Sequence, residues 1–485
     1  MKLADLLSAW RADPAVASNI AAWRTLPARP AQLVPFPDDL HPALAEWLRG
    51  RGISALYSHQ AAAWAHAQAG KHLVVVTGTA SGKTLCYNLP VLNRILCDPD
   101  SRALYLFPTK ALAQDQVANL AEDGSQSPML GRSLRVAAYD GDTPADTRPS
   151  IRANARIVIT NPDMVHTGIL PHHTLWADFF RHLQFVVVDE MHAYRGVFGS
   201  HVANVLRRLK RVASFYGTSP QFILTSATIA NPAELAERLV EEKVAVVDED
   251  GAAKGQKHFL IYNPPVVNRA LGIRRSALLE SVRLAQGLMN YGIQTIVFAR
   301  ARRTVELILR YLSNPAQDGQ VRGYRSGYLP SQRREIERGL RQGDVRAVVA
   351  TNALELGIDI GGMGAAVLVG YPGTVAATWQ QAGRAGRGEE TSLSVLVATA
   401  DPLDQFLAHH PDYFFERSPE RALANPDNLL ILLQHLRCAS FELPFRTGER
   451  FGRVDPSRVG EFLQFLVETG LVHHSGDKYF WMADQ

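Results

Sequence analysis

The chain has 485 residues, with 51 Lys and Arg against 47 Asp and Glu, 46% hydrophobic and 20% charged residues, and three cysteines. That length suits roughly two to four domains with cores of their own, and with this apolar content it excludes a small stapled fold and a disordered chain. A formal charge of +4 permits a polyanionic partner without requiring one. Cys86, Cys97 and Cys438 make neither an even disulfide framework nor a close set of four thiolates, so a reducing compartment and no zinc site in this chain are expected. No apolar stretch has the length of a membrane span, and Lys2, Asp5, Arg11 and Asp13 interrupt the region where a signal peptide needs an apolar core. A soluble, cytoplasmic protein without membrane contact is the expectation.

Residues 1–50 read as an Ala-rich, largely helical segment punctuated by Pro30, Pro35 and Pro37. From about Lys71 the chain alternates short β-branched apolar runs with turns and helical stretches. The first set of strands is predicted at 73–76, 103–106, 157–159, 185–188 and 222–224, as continuous apolar runs that suit parallel strands covered on both faces. Acidic residues, Gly251, Gly255 and Pro264-Pro265 interrupt the series between Val240 and Asn268. It restarts with strands at 295–298, 347–350, 366–369 and 394–397. Two doubly wound α/β domains, 51–250 and 251–405, are the economical account. Over 406–485 two helices, at 428–440 and 458–469, precede a hairpin formed by 471–474 and 478–481. That order suggests a winged-helix-like α+β appendage.

Thr77-Gly78-Thr79-Ala80-Ser81-Gly82-Lys83-Thr84 follows the first strand and opens a helix. Backbone N–H groups of such a loop, aided by a helix N-terminus, bind a triphosphate; Lys83 would neutralise its outer oxygens and the Thr84 hydroxyl would hold Mg²⁺. The strict P-loop pattern has Gly where Thr77 stands. Phe185-Val186-Val187-Val188-Asp189-Glu190-Met191-His192 is a buried strand ending in two carboxylates. Carboxyl ends of parallel strands are where such sheets place ligands. Asp189 can reach Mg²⁺ through water, and Glu190 can orient and deprotonate an attacking water. Loop and acids together imply a nucleotide triphosphatase.

With these in place the chain resembles the superfamily 2 helicases. Leu56-Tyr57-Ser58-His59-Gln60 is similar to their Q motif, in which Gln60 would read adenine. Pro108-Thr109-Lys110 through Gln114, and Thr160-Asn161-Pro162, resemble motifs Ia and Ib, which imply contact with a nucleic-acid backbone. Thr225-Ser226-Ala227-Thr228 resembles motif III, giving Ser226 and Thr228 a coupling role. Val297-Phe298-Ala299-Arg300 matches motif IV, and Ala350 to Ile360 resembles motif V, with Thr351 on nucleic acid and Gly357 and Asp359 at ATP. Gln380 to Arg387 matches motif VI, implying that Arg384 and Arg387 supply charge to the transition state when two RecA-like domains close.

Finer features resemble the DEVH-type helicases of the MrfA/YprA group and their eukaryotic Hrq relatives. These are Asp189-Glu190-Met191-His192 with the segment to His201, the Gln-type motif VI, and a post-core set of Asp412-Tyr413-Phe414, Asn425-Pro426 and Gln434 to Ala439. The resemblance implies an ATP-dependent, Mg²⁺-using DNA helicase that tracks 3′ to 5′ on single-stranded or tailed duplex DNA and serves repair, with His192 coupling the ATP site to the core. Met191 replaces the usual Val, Ala80 stands where many helicase P-loops have Gly, and family members generally continue into a four-cysteine zinc domain beyond the equivalent of Gln485. An RNA helicase and an ATP-regulated nucleic-acid scaffold stay open as alternatives. Eleven arginines lie between Arg300 and Arg346 against five acids, with Arg300 and Arg325 the best candidates for phosphate contact. Arg207, Arg208, Lys210 and Arg211 read as an exposed helix face. Phe36 reads as a core contact rather than an adenine stack.

Overall fold

A computed structural model describes residues 2–126, 131, 133–313, 319–325, 327–355, 357, 360–386 and 388–482. The chain forms two compact units. The smaller comprises Met1–Gln32, Gly78–Ser81 and Gly251–Glu420; the larger comprises Leu33–Thr77, Gly82–Asp250 and Arg421–Gln485. The first strand is β1 (Ile20–Leu26), followed by β2 (Leu33–Val34) and β3 (Leu56–Tyr57). The next are β4 (Leu73–Val76), β5 (Arg102–Leu106), β6 (Val136–Ala138), β7 (Ile157–Thr160), β8 (Leu183–Val188), β9 (Gln221–Ser226) and β10 (Ala245–Val247). After them come β11 (Lys257–Tyr262), β12 (Val266–Asn268), β13 (Ile273–Arg274), β14 (Thr295–Ala299), β15 (Val321–Tyr324), β16 (Ala347–Ala350), β17 (Ala365–Val369) and β18 (Ser392–Val397). The last three are β19 (Phe445–Arg446), β20 (Val472–Ser475) and β21 (Lys478–Trp481).

In the larger unit seven strands pair in the order β10-β4-β9-β8-β5-β7-β6, all parallel. Their apolar runs are buried from end to end: Leu73, Val74 and Val75 on β4 and Val186, Val187 and Val188 on β8 are fully enclosed. Helices on both faces remove that surface from water, which is the source of the sheet's stability. The smaller unit has the same plan, β1-β11-β18-β17-β14-β16-β15, with β1 alone antiparallel. Both are doubly wound RecA-like sheets. No helix among the described residues is long and apolar enough to cross a membrane.

Three sequence expectations need correction. Residues 1–50 are helical only in part: beside helices Lys2–Ala12, Pro14–Ala17 and Pro42–Gly50 they hold β1, which pairs with β11 in the sheet of the smaller unit, while helix Pro42–Gly50 lies in the larger unit. The break read between Val240 and Asn268 contains β10 and β11, and β11 lies between β1 and β18 with Phe259, Leu260 and Ile261 buried. Its flanking Gly255 and Pro264-Pro265 disguise a strand whose core is His258-Phe259-Leu260-Ile261. Finally, Arg207 and Arg208 are buried, not exposed.

The reason is the appendage. Helix Leu429–Glu442, β19, helix Pro456–Glu468 and the hairpin β20–β21 form a small module with its own core around Leu436, Phe445, Leu463 and Tyr479. It packs on helix Gly196–Phe215 of the same unit, which presents Asn204, Arg207, Arg208 and Arg211 at helical spacing. Arg207 bonds Pro426 O (3.2 Å), Asp427 (2.7 Å) and Glu241 (2.6 Å). The Arg208 guanidinium is paired with Glu442 through Nε (3.0 and 3.1 Å) and Nη2, and its Nη1 donates to His166 Nδ1 (2.7 Å) and His435 Nδ1 (3.2 Å). Arg211 bonds Glu449 at 2.7 Å and lies 3.8 Å from the Phe445 ring centroid.

Removing one partner of a buried ion pair leaves the other uncompensated, so Glu442→Ala should destabilise the protein by about 3–5 kcal/mol in denaturant unfolding. Burial and the Arg208 charge push His435 down to about 2 from its usual 6.5. The unfolded chain therefore binds the extra proton first, so this site's contribution is present above pH ~6.5 and is lost as pH falls below it. The unfolding midpoint should drop between pH 7 and 5, and His435→Gln should flatten that slope.

Candidate active site

Parallel pairing places β4, β9 and β8 side by side, Val76 opposite Ser226 and Val188 opposite Leu224. The segments that leave their carboxyl ends are Thr77–Thr84, Ala227-Thr228 and Asp189–His192. The phosphate loop turns through left-handed backbone at Ala80 (φ 57°) and Gly82 (φ 78°), and helix Lys83–Cys97 starts directly after it. Thr77 is not among the left-handed residues, which explains why a side chain is tolerated where the strict pattern has Gly. Its carbonyl accepts from Lys83 Nζ at 2.9 Å, and Ser81 Oγ donates to Gly78 O at 2.9 Å. Thr79 is half-buried and Thr84 exposed.

Gln60, buried near the start of helix Ser58–Gln68, accepts from Tyr57 N (3.0 Å) and donates to Gly82 O (3.0 Å). It thereby ties the Q motif to the phosphate loop, leaving one amide proton and one carbonyl lone pair for a ligand. Phe36 is half-buried, with the Arg49 guanidinium 5.6 Å from its ring centroid.

At the end of β8 the two acids differ in setting. Asp189 is half-buried where Glu190 is buried, accepts from Thr225 Oγ1 and from Glu190 N (2.9 Å), and has Tyr87 OH at 3.5 Å. Burial, with the Glu190 charge beside it, raises it to about 6. Glu190 has left-handed backbone (φ 49°), a conformation costly for a side chain and recurrent at functional sites. Its carboxylate lies 3.4 Å from His192 Nδ1. That nitrogen accepts the Ala227 N–H at 3.2 Å, and burial holds the His192 ring below its usual range. His192 is thus a neutral link between the acidic motif and the Ala227 backbone. Ser226 is buried, its hydroxyl donating to Ala227 O at 2.6 Å, whereas Thr228 is exposed.

In the smaller unit, Gln380 is buried in helix Val375–Ala382, and Arg384 Nη2 donates to Glu355 O at 2.7 Å while Gln381 Nε2 donates to Glu355 Oε2 at 2.9 Å. Glu355 therefore joins the segment after β16, which begins with half-buried Thr351 and contains exposed Gly357, to the arginine loop. Asp359 and Arg387 lie outside the described residues. Arg300 is exposed, whereas Arg325 is paired with Glu306 at 3.0 Å.

The residues read as motifs Ia and Ib divide. Pro108 is half-buried, Thr109 and Lys110 are exposed and Gln114 is half-buried, with Lys110 Nζ 2.9 Å from Asp142. Thr160 and Pro162 are buried: the Thr160 hydroxyl is spent on Tyr139 O (2.5 Å), and Asn161 Oδ1 accepts from Met164 N (2.8 Å) as a helix cap. Their side chains close the end of β7.

Sequence reading missed Lys257. Its Nζ donates to Ala382 O and Ala385 O, each at 2.8 Å, and burial pushes it down to about 8. It caps the helix end that leads to Arg384, a place where a cation is favoured. Its only sequence signal was a lysine at the head of an unrecognised strand. Trp379 of the same helix stacks on Phe414 (5.3 Å, 17°), which accounts for Phe414 of the Asp412-Tyr413-Phe414 segment as packing, whereas Asp412 and Tyr413 are exposed.

Family models match twice: a DEAD/DEAH box helicase domain over 57–235 and a Helicase conserved C-terminal domain over 276–389. The chain is 52% identical over 470 residues to the uncharacterized ATP-dependent helicase YprA of Bacillus subtilis, covering 96% of this chain and 62% of that protein. It is 41% identical to the ATP-dependent helicase HRQ1 of Saccharomyces cerevisiae, covering 96% of this chain and 44% of that one. The solved DUF1998 helicase MrfA bound to DNA superposes with a TM-score of 0.95 at 50% identity, over 100% of this chain and 64% of that one. The same protein bound to DNA and AMPPNP gives 0.94 at 50% identity, over 99% and 66%. The chain thus spans under two thirds of the length of these relatives.

Because Ala80 carries a side chain in left-handed backbone, Ala80→Gly should relieve up to about 1 kcal/mol of strain, read as a raised thermal unfolding midpoint.

Proposed function

The chain belongs to the DEAD/DEAH box helicases, and on that premise we propose that it is an ATP-dependent DNA helicase or translocase, running 3′ to 5′ and serving DNA repair. The observation that carries the chemistry is the acidic pair at the end of β8, two strands along the ladder from the strand that feeds the phosphate loop. Lys83 and the backbone of residues 79–84 are assigned to the triphosphate, and Gln60 to the adenine.

The hard oxygen donors Thr84 and Asp189 fit Mg²⁺, and a carboxylate raised to about 6 is one that a divalent cation would favour in ionised form. Bound there, the ion would neutralise phosphate charge. Glu190, turned out of the strand by its left-handed backbone, is assigned the orientation and deprotonation of water. Arg384, with Arg387 and Asp359, is assigned to the phosphates, and His192 with Ser226 and Thr228 to coupling. Pro108, Thr109, Lys110, Gln114, Asn161, Arg300 and Thr351 are the proposed backbone contacts, which makes binding sequence-tolerant and salt-sensitive.

DNA is favoured by the MrfA complexes and by Gln380 opening motif VI. The order helix, strand, helix, hairpin in 429–481 supports a winged-helix reading of the appendage.

Glu190→Gln should lower DNA-stimulated ATP turnover by about 10²–10⁴-fold while nucleotide affinity is kept; unchanged turnover would sink the assignment. Strand displacement should proceed from a 3′ tail and not a 5′ tail, and stimulation by RNA alone would replace DNA as the substrate.

A further inference from the structure

Behind the amino ends of the larger sheet, on the side opposite the phosphate loop and the acids, lies a cleft of about 1140 Å³. His72 before β4 and Phe222 at the start of β9 mark its position in the fold. One wall is helix Gly196–Phe215 with the turn after it; the other is the appendage loop 443–453 with Lys478 of β21.

Seven cationic side chains line it against three carboxylates. All three acids are already committed: Glu241 to Arg207, Glu242 to Lys210 and Glu449 to Arg211. Arg446, Arg450, Arg453 and Lys478 are left with no ion pair among the described residues. Arg453 Nε meets only a neutral acceptor, Glu241 O at 3.2 Å.

Arg446 and Lys478 are direct partners across the β19–β21 ladder. Like charges placed opposite each other on a sheet repel, and an anion lying between them would reverse the sign of that interaction. The facing wall offers hydroxyls of Ser214 and Ser219, and Phe215 with 63% of its surface exposed. An acidic peptide would need only the cations. Cations with hydroxyls and an open aromatic face suit phosphate, sugar and base together.

We propose that this cleft is a second nucleic-acid site, in which Arg446, Lys478, Arg450 and Arg453 take the phosphate backbone of a strand and Phe215 stacks on a base. The proposal shares with the functional reading the premise that the chain acts on nucleic acid, but it does not depend on ATP turnover.

The test is fluorescence anisotropy of the whole chain with a labelled oligothymidylate, without nucleotide, over a salt series. Arg446→Glu with Lys478→Glu should weaken binding about tenfold or more and reduce the log K against log salt slope by about 1.4, the share of two single-strand phosphate contacts. Phe215→Ala should weaken binding roughly five- to a hundredfold with the slope unchanged. Arg446→Gln with Lys478→Gln, checked by its unfolding midpoint, gives the same readout without reversed charges. Affinity and slope equal to the parent in a folded Gln variant would overturn the proposal. So would displacement of the oligonucleotide by polyglutamate with no effect of Phe215→Ala, which would assign the cleft to an acidic protein segment. ATP turnover measured in parallel separates the two readings. Charge-sensitive binding without turnover supports the cleft and removes the motor, and turnover with charge-insensitive binding does the reverse.

Discussion

A parallel strand cannot fold back onto its neighbour, so every strand of the larger sheet delivers its carboxyl end to the same edge and its amino end to the other. Chemistry dispersed over more than a hundred residues of sequence is gathered by that constraint alone. The loop after β4, the acids after β8 and the segment after β9 become neighbours because β4, β9 and β8 are adjacent in the ladder. The fully buried aliphatic side chains of these strands hold them together by packing on both faces. Thr225 joins two of these segments: its one hydroxyl donates to Asp189 Oδ1 and accepts from Glu190 N at 3.4 Å, which ties the end of β9 to the acidic motif.

The opposite edge is organised by charge. Helix Gly196–Phe215 begins just after the acidic motif, where Gly196 N donates to Leu423 O at 2.6 Å, and then runs beneath the appendage. Asn204, Arg207, Arg208 and Arg211 bond Pro426, Asp427, Glu442 and Glu449 in turn. A buried guanidinium costs several kcal/mol in lost hydration, and hydrophobic residues of equal volume could hold the module as firmly. What the ionic set adds is register, because each planar fork accepts one arrangement of oxygens. The same helix thereby ties the acids at one end of the unit to the cleft at the other.

Legibility in the sequence followed burial. Strands β4, β5, β7, β8 and β9 were readable because both faces are covered and the apolar runs are continuous, and the phosphate loop and acids were readable because they sit at the ends of such runs. β11 was not, because Gly and Pro flank it and Lys257 and His258 occupy its first positions. The arginines of helix Gly196–Phe215 were misread because a charge on a helix is usually solvated; their appendage partners Asp427, Glu442 and Glu449 lie more than 200 residues away, and no local pattern reports them. Thr160 shows the converse, a polar residue whose hydroxyl is used within the fold. Lys257 carries no motif at all, and only the two carbonyls that meet its ammonium group reveal its part in holding the arginine loop.

Two neighbouring acids in an extended strand would project to opposite faces, so an acidic pair can serve one site only if the strand stops between them. The left-handed backbone at Glu190 is that stop. Its cost, on the order of 1–3 kcal/mol, must be offset by surrounding contacts. The Glu190 N–H is held by Asp189 Oδ1, and Ala193 N closes the following turn on Glu190 O at 2.9 Å. His192, one residue into that turn, is thereby set against the Ala227 backbone rather than against solvent. Its acceptor nitrogen also lies 3.4 Å from the Glu190 carboxylate, so ring, acid and the segment after β9 are close neighbours. Strain and hydrogen bonding therefore meet in one turn: the backbone change that lets the two acids share a site also seats the His192 ring against the Ala227 backbone.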